Sequence, residues 1–295
     1  MLKITYLQVG TRGLNYLRRK KMGKRVGFIG AGNMAQAIIG GVTHADLISR
    51  DEIIASGRTH ETVDRVSKIY GVSATTDNCE VAKADKMLFL CVKPKNIPEV
   101  ISQIKDIVKE DTVIISIAAG VSTETLEKLF GRPLKIIRVM PNLPAIVGAG
   151  VSEICANSYV TDDEKSKVVD IFNCLGNAYI VKEQDMDVVS ALSGGSPAFV
   201  AMFIEALADG AVAEGMHRDM AYELAARTVA GTARLIVQNN MHPAILKDKV
   251  CSPGGTTIEG VDVLENSGFR GSVMEAIRAS SEKSKEMARR AGGDK

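Results

Sequence analysis

Val26-Gly27-Phe28-Ile29-Gly30-Ala31-Gly32-Asn33-Met34-Ala35 is the stretch whose reading decides the fold. The run Arg25–Ile29 reads as a buried strand stopped by Gly30, and a helix is expected to follow through Val42. In a strand–turn–helix unit Gly30 makes the tight turn, Gly32 lets the backbone approach a pyrophosphate, and Ala35 permits close packing of helix on strand. The helix start then faces the phosphates, where its free N–H groups and dipole favour negative charge. A glycine-rich turn without a ligand has the same letters. The strand before it, the helix after it and its early position favour a dinucleotide site.

Outward from this unit the pattern repeats. Strands are expected over 51–55, 86–92, 112–117 and 135–139, and helices over 62–69, 97–108 and 124–129. Ser122 or Thr123 can cap the last of these, and Thr161-Asp162-Asp163-Glu164 is a capping box that opens another helix. Strands alternating with helices imply a parallel sheet with right-handed crossovers, an α/β Rossmann-type domain over residues 23–182. After about residue 183 the strand signals vanish. Helices fit 197–212, 220–238, 257–266 and 271–290, giving an all-helical domain over 183–295. Pro197–Val212 is apolar on nearly every side, with Glu205 and Asp209 on one face. Such a helix has to be buried, and a block this short cannot easily bury it alone, so an interwoven dimer is expected.

Composition narrows the function classes. With 45% apolar and 24% charged residues, the 295-residue chain has the balance of a soluble globular protein. The net charge of +2 hides an asymmetry. Residues 1–21 carry Lys3, Arg12, Arg18, Arg19, Lys20 and Lys21 and no acid; without those six, 31 basic residues face 35 acidic ones. The body is therefore mildly acidic, lacks Trp, and has no electrostatic reason to seek nucleic acid. Residues 1–22 read as a basic extension. It is either a transit peptide, which would place the protein in mitochondria, or an unstructured tail before a start at Met22 in a cytoplasmic protein. No apolar run in the sequence approaches membrane-spanning length, and no membrane partner is expected. The five cysteines are scattered, as in a reducing compartment, and no metal site is expected from them or from the four histidines.

Three further stretches can carry chemistry. The place where an NAD-binding carboxylate would stand reads Ser56-Gly57-Arg58, and a hydroxyl with a guanidinium suits a ribose 2′-phosphate. The expected cofactor is NADPH, with NADH the alternative if Arg58 is only a solvated loop charge. Leu192–Pro197 supplies Ser196 as a helix cap and Pro197 as a first-turn residue, which explains those residues structurally. Ser252-Pro253-Gly254-Gly255-Thr256-Thr257 places two glycines and two threonines before a helix. Its amides can hold a carboxylate and its hydroxyls can reach a substrate nitrogen, or it is a tight capped loop.

These segments resemble the pyrroline-5-carboxylate reductase family from about residue 24 to 288. The carriers are VGFIGAGNMA (26–35), FLCVKPKNI (89–97), SIAAGV (116–121), IIRVMPNLPA (136–145), LSGGSPAF (192–199), EALADGAV (205–212) and HPAILKDKVCSPGGTTIEGVDVLE (242–265). Leu143 and the pair Gly195-Ser196 depart from the family's usual residues. The resemblance implies reduction of Δ1-pyrroline-5-carboxylate, a small cyclic imino acid, to L-proline by hydride transfer from NAD(P)H. It also implies an intertwined homodimer that in some members assembles further. Carried across residue by residue, Ile29, Gly30, Ala31, Gly32, Asn33 and Met34 would bind the pyrophosphate. Ser56, Gly57, Arg58 and Asn78 would lie by the adenosine ribose, and Cys91, Val92, Lys93, Pro94, Ile117, Ala118 and Ala119 would line the cofactor. Glu183, Ser252, Gly254, Gly255, Thr256 and Thr257 would meet the substrate, with Thr257 catalytic at the imine nitrogen. A β-hydroxyacid dehydrogenase, the nearest rival reading, would carry a Lys in the helix after the glycine-rich turn, and Pro197–Val212 contains none.

Overall fold

The structure is a computed structural model that describes residues 25–292, so the readings made for residues 1–22 lie outside the described residues. Its elements in chain order are β1 (Val26–Ile29), α1 (Asn33–His44), β2 (Ile53–Ser56), α2 (His60–Tyr70), β3 (Ser73–Thr75), α3 (Asn78–Val81), β4 (Met87–Leu90) and α4 (Ile97–Ile104). There follow β5 (Val113–Ser116), α5 (Thr123–Phe130), β6 (Ile136–Pro141), β7 (Gly150–Ala156), α6 (Asp162–Asn173) and β8 (Gly176–Ile180). The remainder is helical: α7 (Met186–Val189), a π-helical turn (Ser190–Gly195), α8 (Ser196–Ala213), α9 (Arg218–Gln238), α10 (Pro243–Val250), α11 (Thr256–Asn266) and α12 (Phe269–Gly292).

The eight strands form one sheet in the order β3-β2-β1-β4-β5-β6-β7-β8. β1 through β6 pair in parallel. The chain order reverses between β1 and β4, which makes their carboxyl ends the switch point of a doubly wound sheet. Both faces are covered. Phe28 stacks on Phe89 at 4.4 Å with Phe172 beyond on one side, while Ile29, Leu88, Leu90 and Ile114 pack into the core on the other. Burial on both faces is why these strands read as unbroken apolar runs rather than alternating ones.

The sheet departs from the expected all-parallel pattern at β7, which runs antiparallel to β6. The connection is a short 3₁₀ turn, Leu143–Val147, closed by Gly148 at φ +72°. It is too short for a crossover, so the chain can only double back. The helix α6 then supplies the crossover that lets β8 pair in parallel with β7. The capping box that opens α6 forms as the sequence suggests, with Thr161 and Glu164 bonding reciprocally.

The chain divides into two compact units. The first runs to Gly194 and takes back the end of α12 from Ser281 onward; the second is Gly195–Ser280. The division therefore falls about a dozen residues after the sheet ends, and the last helix belongs to both. The second unit has a small core of its own: Ala208, Ala221 and Ala225, backed by Ile204, Ala211 and Val212. Of α8, only Ala208 is buried, and Met202 is 67% exposed. The all-round apolar helix expected to be buried is thus uncovered within one chain.

One sequence expectation needs correcting here. Glu183–Ala213 is a continuous helical run long and apolar enough to cross a membrane. The sequence hides it because Ser190–Gly195, with its serines and glycines, reads as a break, whereas the chain passes through it as a π-helical turn.

Gly176 fixes the register of the β7–β8 edge. It sits at φ +146°, and a Cβ there would lie 2.0 Å from the Gly150 carbonyl oxygen. Gly176→Ala is expected to destabilise the protein by about 3 kcal/mol or more, because both the backbone conformation and the space are forbidden to a side chain. Urea unfolding monitored by circular dichroism checks this.

Candidate active site

Four strand ends converge at the switch point, and backbone hydrogen bonds hold them. The Gly30 N–H donates to Ser56 O at 3.1 Å, the Cys91 N–H to Ile29 O at 2.8 Å, the Gly57 N–H to Thr75 O at 3.0 Å, and the Ile117 N–H to Leu90 O at 3.2 Å. This edge gathers Ile29–Met34, Ser56–Arg58, Cys91–Pro94 and Ile117–Ala119, the four groups of residues that the sequence assigns to the cofactor.

The glycines of the first turn have different jobs. Gly30 sits at φ +97°, and a Cβ there would lie 2.7 Å from the Cys91 carbonyl oxygen and 2.9 Å from Val92 Cγ1. It is constrained by the protein itself. Gly32 has ordinary φ of −73°, and a Cβ there would meet nothing within 4 Å. What Gly32 leaves open is space in front of the start of α1. That helix has no side-chain cap and no acidic residue in its first turn. Its first N–H groups need acceptors from outside the helix, and the oxygens of a pyrophosphate are acceptors of that kind.

At the next strand end Ser56 Oγ donates to Asn78 Oδ1 at 2.7 Å, and Asn78 Nδ2 donates to Gln103 Oε1 at 2.9 Å. Ser56 and Asn78, far apart in sequence, are thus direct partners. Arg58 is exposed at the turn into α2, and forms none of the ion pairs seen among the described residues. Lys93 is exposed and Pro94 opens a short 3₁₀ turn. Burial pushes the Cys91 thiol well above its ordinary range and the Cys155 thiol up to about 12, so neither is a ready nucleophile. Gly120, at φ +71°, lies against Met287 and Ala288, so the returning end of α12 packs on the Ile117–Ala119 loop.

Glu183, assigned from the sequence to the substrate site, is held by partners within the protein. Its carboxylate accepts from the Thr123 N–H at 2.7 Å and from the Thr123 hydroxyl, at the first turn of α5. Arg138, buried in β6, lies 3.7 Å away. Glu183 thus ties the segment after β8 to a helix start and to a buried cation. Arg138 and Asn142 are residues that the sequence reading did not single out; Thr123, named there as a possible cap, instead holds Glu183, and Ser122 caps α5. The Asn142 side chain accepts from the Val151 N–H at 2.9 Å and donates to Ser193 O at 3.0 Å, joining the end of β6 to the π-helical turn. A lone arginine within the apolar strand IIRVMP was the available signal for Arg138.

The remaining sequence-assigned residues lie in the second unit. Gly254, at φ +63° with open space around it, and Gly255, the N-cap of α11, bend the chain from α10 into α11. The Gly255 N–H donates to Ser252 O at 3.0 Å. α11 starts without a side-chain cap, and Thr256 and Thr257 are exposed in its first turn.

Comparison with known proteins agrees with this layout. The family model described as pyrroline-5-carboxylate reductase dimerisation matches residues 183–287, and one described as NADP oxidoreductase, coenzyme F420-dependent, matches 25–120. A pyrroline-5-carboxylate reductase of Escherichia coli K12 is 42% identical over 268 residues, 91% of this chain and 100% of its own. Two solved structures are similar. The pyrroline carboxylate reductase of Plasmodium falciparum with NADP bound has a TM-score of 0.81 at 34% identity, covering 90% of this chain and 98% of that one. The enzyme of Coxiella burnetii has a TM-score of 0.83 at 34% identity, covering 90% and 99%.

The two glycines separate fold from binding. Gly32→Ala is expected to cost no more than about 1 kcal/mol of stability, since its φ suits alanine. It should weaken NADPH binding by about tenfold or more, because the methyl group stands where the phosphates must come. Gly30→Ala should lose stability as well as binding. Thermal unfolding and a fluorescence titration with NADPH distinguish the two.

Proposed function

The chain belongs to the pyrroline-5-carboxylate reductase family, and from that premise we propose how its residues carry out the family's reaction. It is an oxidoreductase that reduces Δ1-pyrroline-5-carboxylate to L-proline in proline biosynthesis, using NADPH. Bound NADPH supplies the hydride, and the rest of the work is orientation. An iminium carbon is already electrophilic, so the protein needs no strong acid, only two partners held at the right distance and angle.

In this reading the start of α1, with Gly32 in front of it, holds the pyrophosphate. Arg58 pairs with the ribose 2′-phosphate, which suits an exposed guanidinium that forms no ion pair among the described residues. The Ser56–Asn78 pair frames the ribose. Cys91–Pro94 and Ile117–Ala119 bound the cofactor toward its nicotinamide end.

One observation carries the substrate half. The turn Ser252–Gly255 opens α11 with uncapped N–H groups and two exposed threonine hydroxyls. The substrate is an anion at one end and a ring nitrogen at the other. The amides of Thr256 and Thr257 take the carboxylate, with the Ser252 hydroxyl beside them. The Thr257 hydroxyl hydrogen-bonds the ring nitrogen and helps its proton arrive from solvent. Glu183 acts at one remove, by fixing Thr123 and Arg138.

A dimerisation segment is present, and the chain self-associates through it. The exposed apolar surface of α8 is what such a contact covers, and it accounts for the membrane-like apolarity of Glu183–Ala213. An intertwined dimer, with each active site using residues of two chains, is the arrangement proposed. A cytoplasmic location is the reading proposed, with mitochondria the alternative if residues 1–21 are a transit peptide.

The test is oxidation of NADPH by the purified protein in the presence of Δ1-pyrroline-5-carboxylate. Imine-dependent oxidation is expected, and its absence contradicts the reading. Thr257→Ala should lower kcat by about tenfold to a hundredfold, with NADPH affinity changed less than about twofold. Arg58→Ala should erode the preference for NADPH over NADH, and an unchanged ratio removes Arg58 from the cofactor site.

A further inference from the structure

Glu153 is a buried carboxyl that the reaction, as derived above, leaves without a task. It is 5% exposed on β7, opposite Met140 of β6, at the carboxyl end of the parallel strands. Its Oε2 lies 3.0 Å from Ser193 Oγ. Ser193 belongs to the π-helical turn Ser190–Gly195, and helices of this kind recur at functional sites because they carry an irregular backbone in a fixed place. The same turn is held from β6 by Asn142 Nδ2, which donates to Ser193 O. Met140 stands against Gly194, where an added Cβ would come within 3.0 Å of its Cε. Three side chains of β6, its following turn and β7 therefore converge on two residues.

Counting hydrogens bears on the state of the carboxyl. Ser193 Oγ is also 2.9 Å from the Val189 carbonyl oxygen. A carbonyl can only accept, and a hydroxyl has one hydrogen. If that hydrogen goes to Val189 O, the contact between Ser193 Oγ and Glu153 Oε2 needs a second hydrogen, and only the carboxyl can bring it. We propose that Glu153 is a positioning residue held as a neutral carboxylic acid, donating its proton to Ser193 Oγ and so pinning the turn Ser190–Gly195 to the cofactor edge of the sheet. The purpose deepens the reductase reading and rests on it; the protonation state does not.

The surroundings agree. Burial pushes the Glu153 carboxyl above its ordinary range, opposed by the Ser193 hydroxyl. The titratable groups facing this region are Cys155, two residues along β7; Tyr179, its partner across β8; Arg138 on β6, paired in register with Cys155; and Glu183, beside Arg138. The π-helical turn itself presents no charge. Arg138, the one cation of the group, is engaged by Glu183. Because the folded protein holds this proton more tightly than an exposed glutamate does, the pinning is complete at low pH and is lost as pH rises through the raised value.

Two measurements test this. Infrared spectroscopy of protein labelled with ¹³C-glutamate should show a protonated carboxylic C=O band at neutral pH that Glu153→Gln removes. Its absence from the unsubstituted protein overturns the proposal whether or not the protein reduces pyrroline-5-carboxylate. The second is the pH profile of kcat with saturating NADPH. The wild-type enzyme should lose rate on the alkaline side. Glu153→Gln, whose amide donates to Ser193 at any pH, should shed that component, and Glu153→Leu should be slower than Glu153→Gln by about tenfold at neutral pH. Superimposable wild-type and Glu153→Gln profiles, or equal rates for the Gln and Leu variants, overturn the positioning role. If the wild-type protein shows no reductase activity at all, the function fails and the infrared band still reports on the proton.

Discussion

Everything at the cofactor edge depends on how closely the ends of β1 and β4 approach each other. Gly30 lies so near the Cys91 carbonyl that no side chain fits between them, and its backbone takes a conformation that side chains disfavour. That contact lets the Cys91 N–H reach Ile29 O and puts the start of α1 directly above the switch point. Gly32 can then face open space. The order of causes runs from a steric constraint inside the protein to an anion site outside it. The two glycines look alike in the sequence and differ in kind in the structure.

The second unit works by the opposite logic. Its own core is three alanines and their neighbours, while Val200, Met202 and Leu207 of α8 stay exposed. Exposed apolar surface of this kind marks a place where another surface binds. The family's dimerisation segment coincides with this unit. The proposed substrate turn, Ser252–Thr257, sits in the same unit.

Much of this was legible in the sequence for identifiable reasons. Arg25–Ala35 carries strand, turn and helix signals in immediate succession, and buried parallel strands such as Met87–Leu90 are unbroken apolar runs. The strands β3, β7 and β8 were not anticipated. β3 is three residues long, and β8 contains Gly176 and Asn177 and lies at an edge, where the apolar pattern is weak. β7, GVSEICA, carries Glu153 in its middle, and its antiparallel pairing follows from the length of a turn rather than from its own residues. Ser56 and Asn78 were chosen separately and prove to be bonded partners. Glu183 was expected to face the substrate, and it also accepts two hydrogen bonds from Thr123, a partner sixty residues away that no local pattern reveals. The network of Asn142, Glu153 and Ser193 was invisible for the same reason, since hydrogen bonds between distant segments leave no periodicity.

The central claim is that the reaction is run by two open helix starts, α1 for the pyrophosphate and α11 for the substrate carboxylate. A crystal structure of the protein with NADPH and L-proline tests it most directly. The account predicts pyrophosphate oxygens within hydrogen-bond distance of the Gly32–Met34 amides. It also predicts the proline carboxylate on the Thr256 and Thr257 amides, with the ring nitrogen at the Thr257 hydroxyl. A proline carboxylate held elsewhere, with the α11 start facing only solvent, would contradict it.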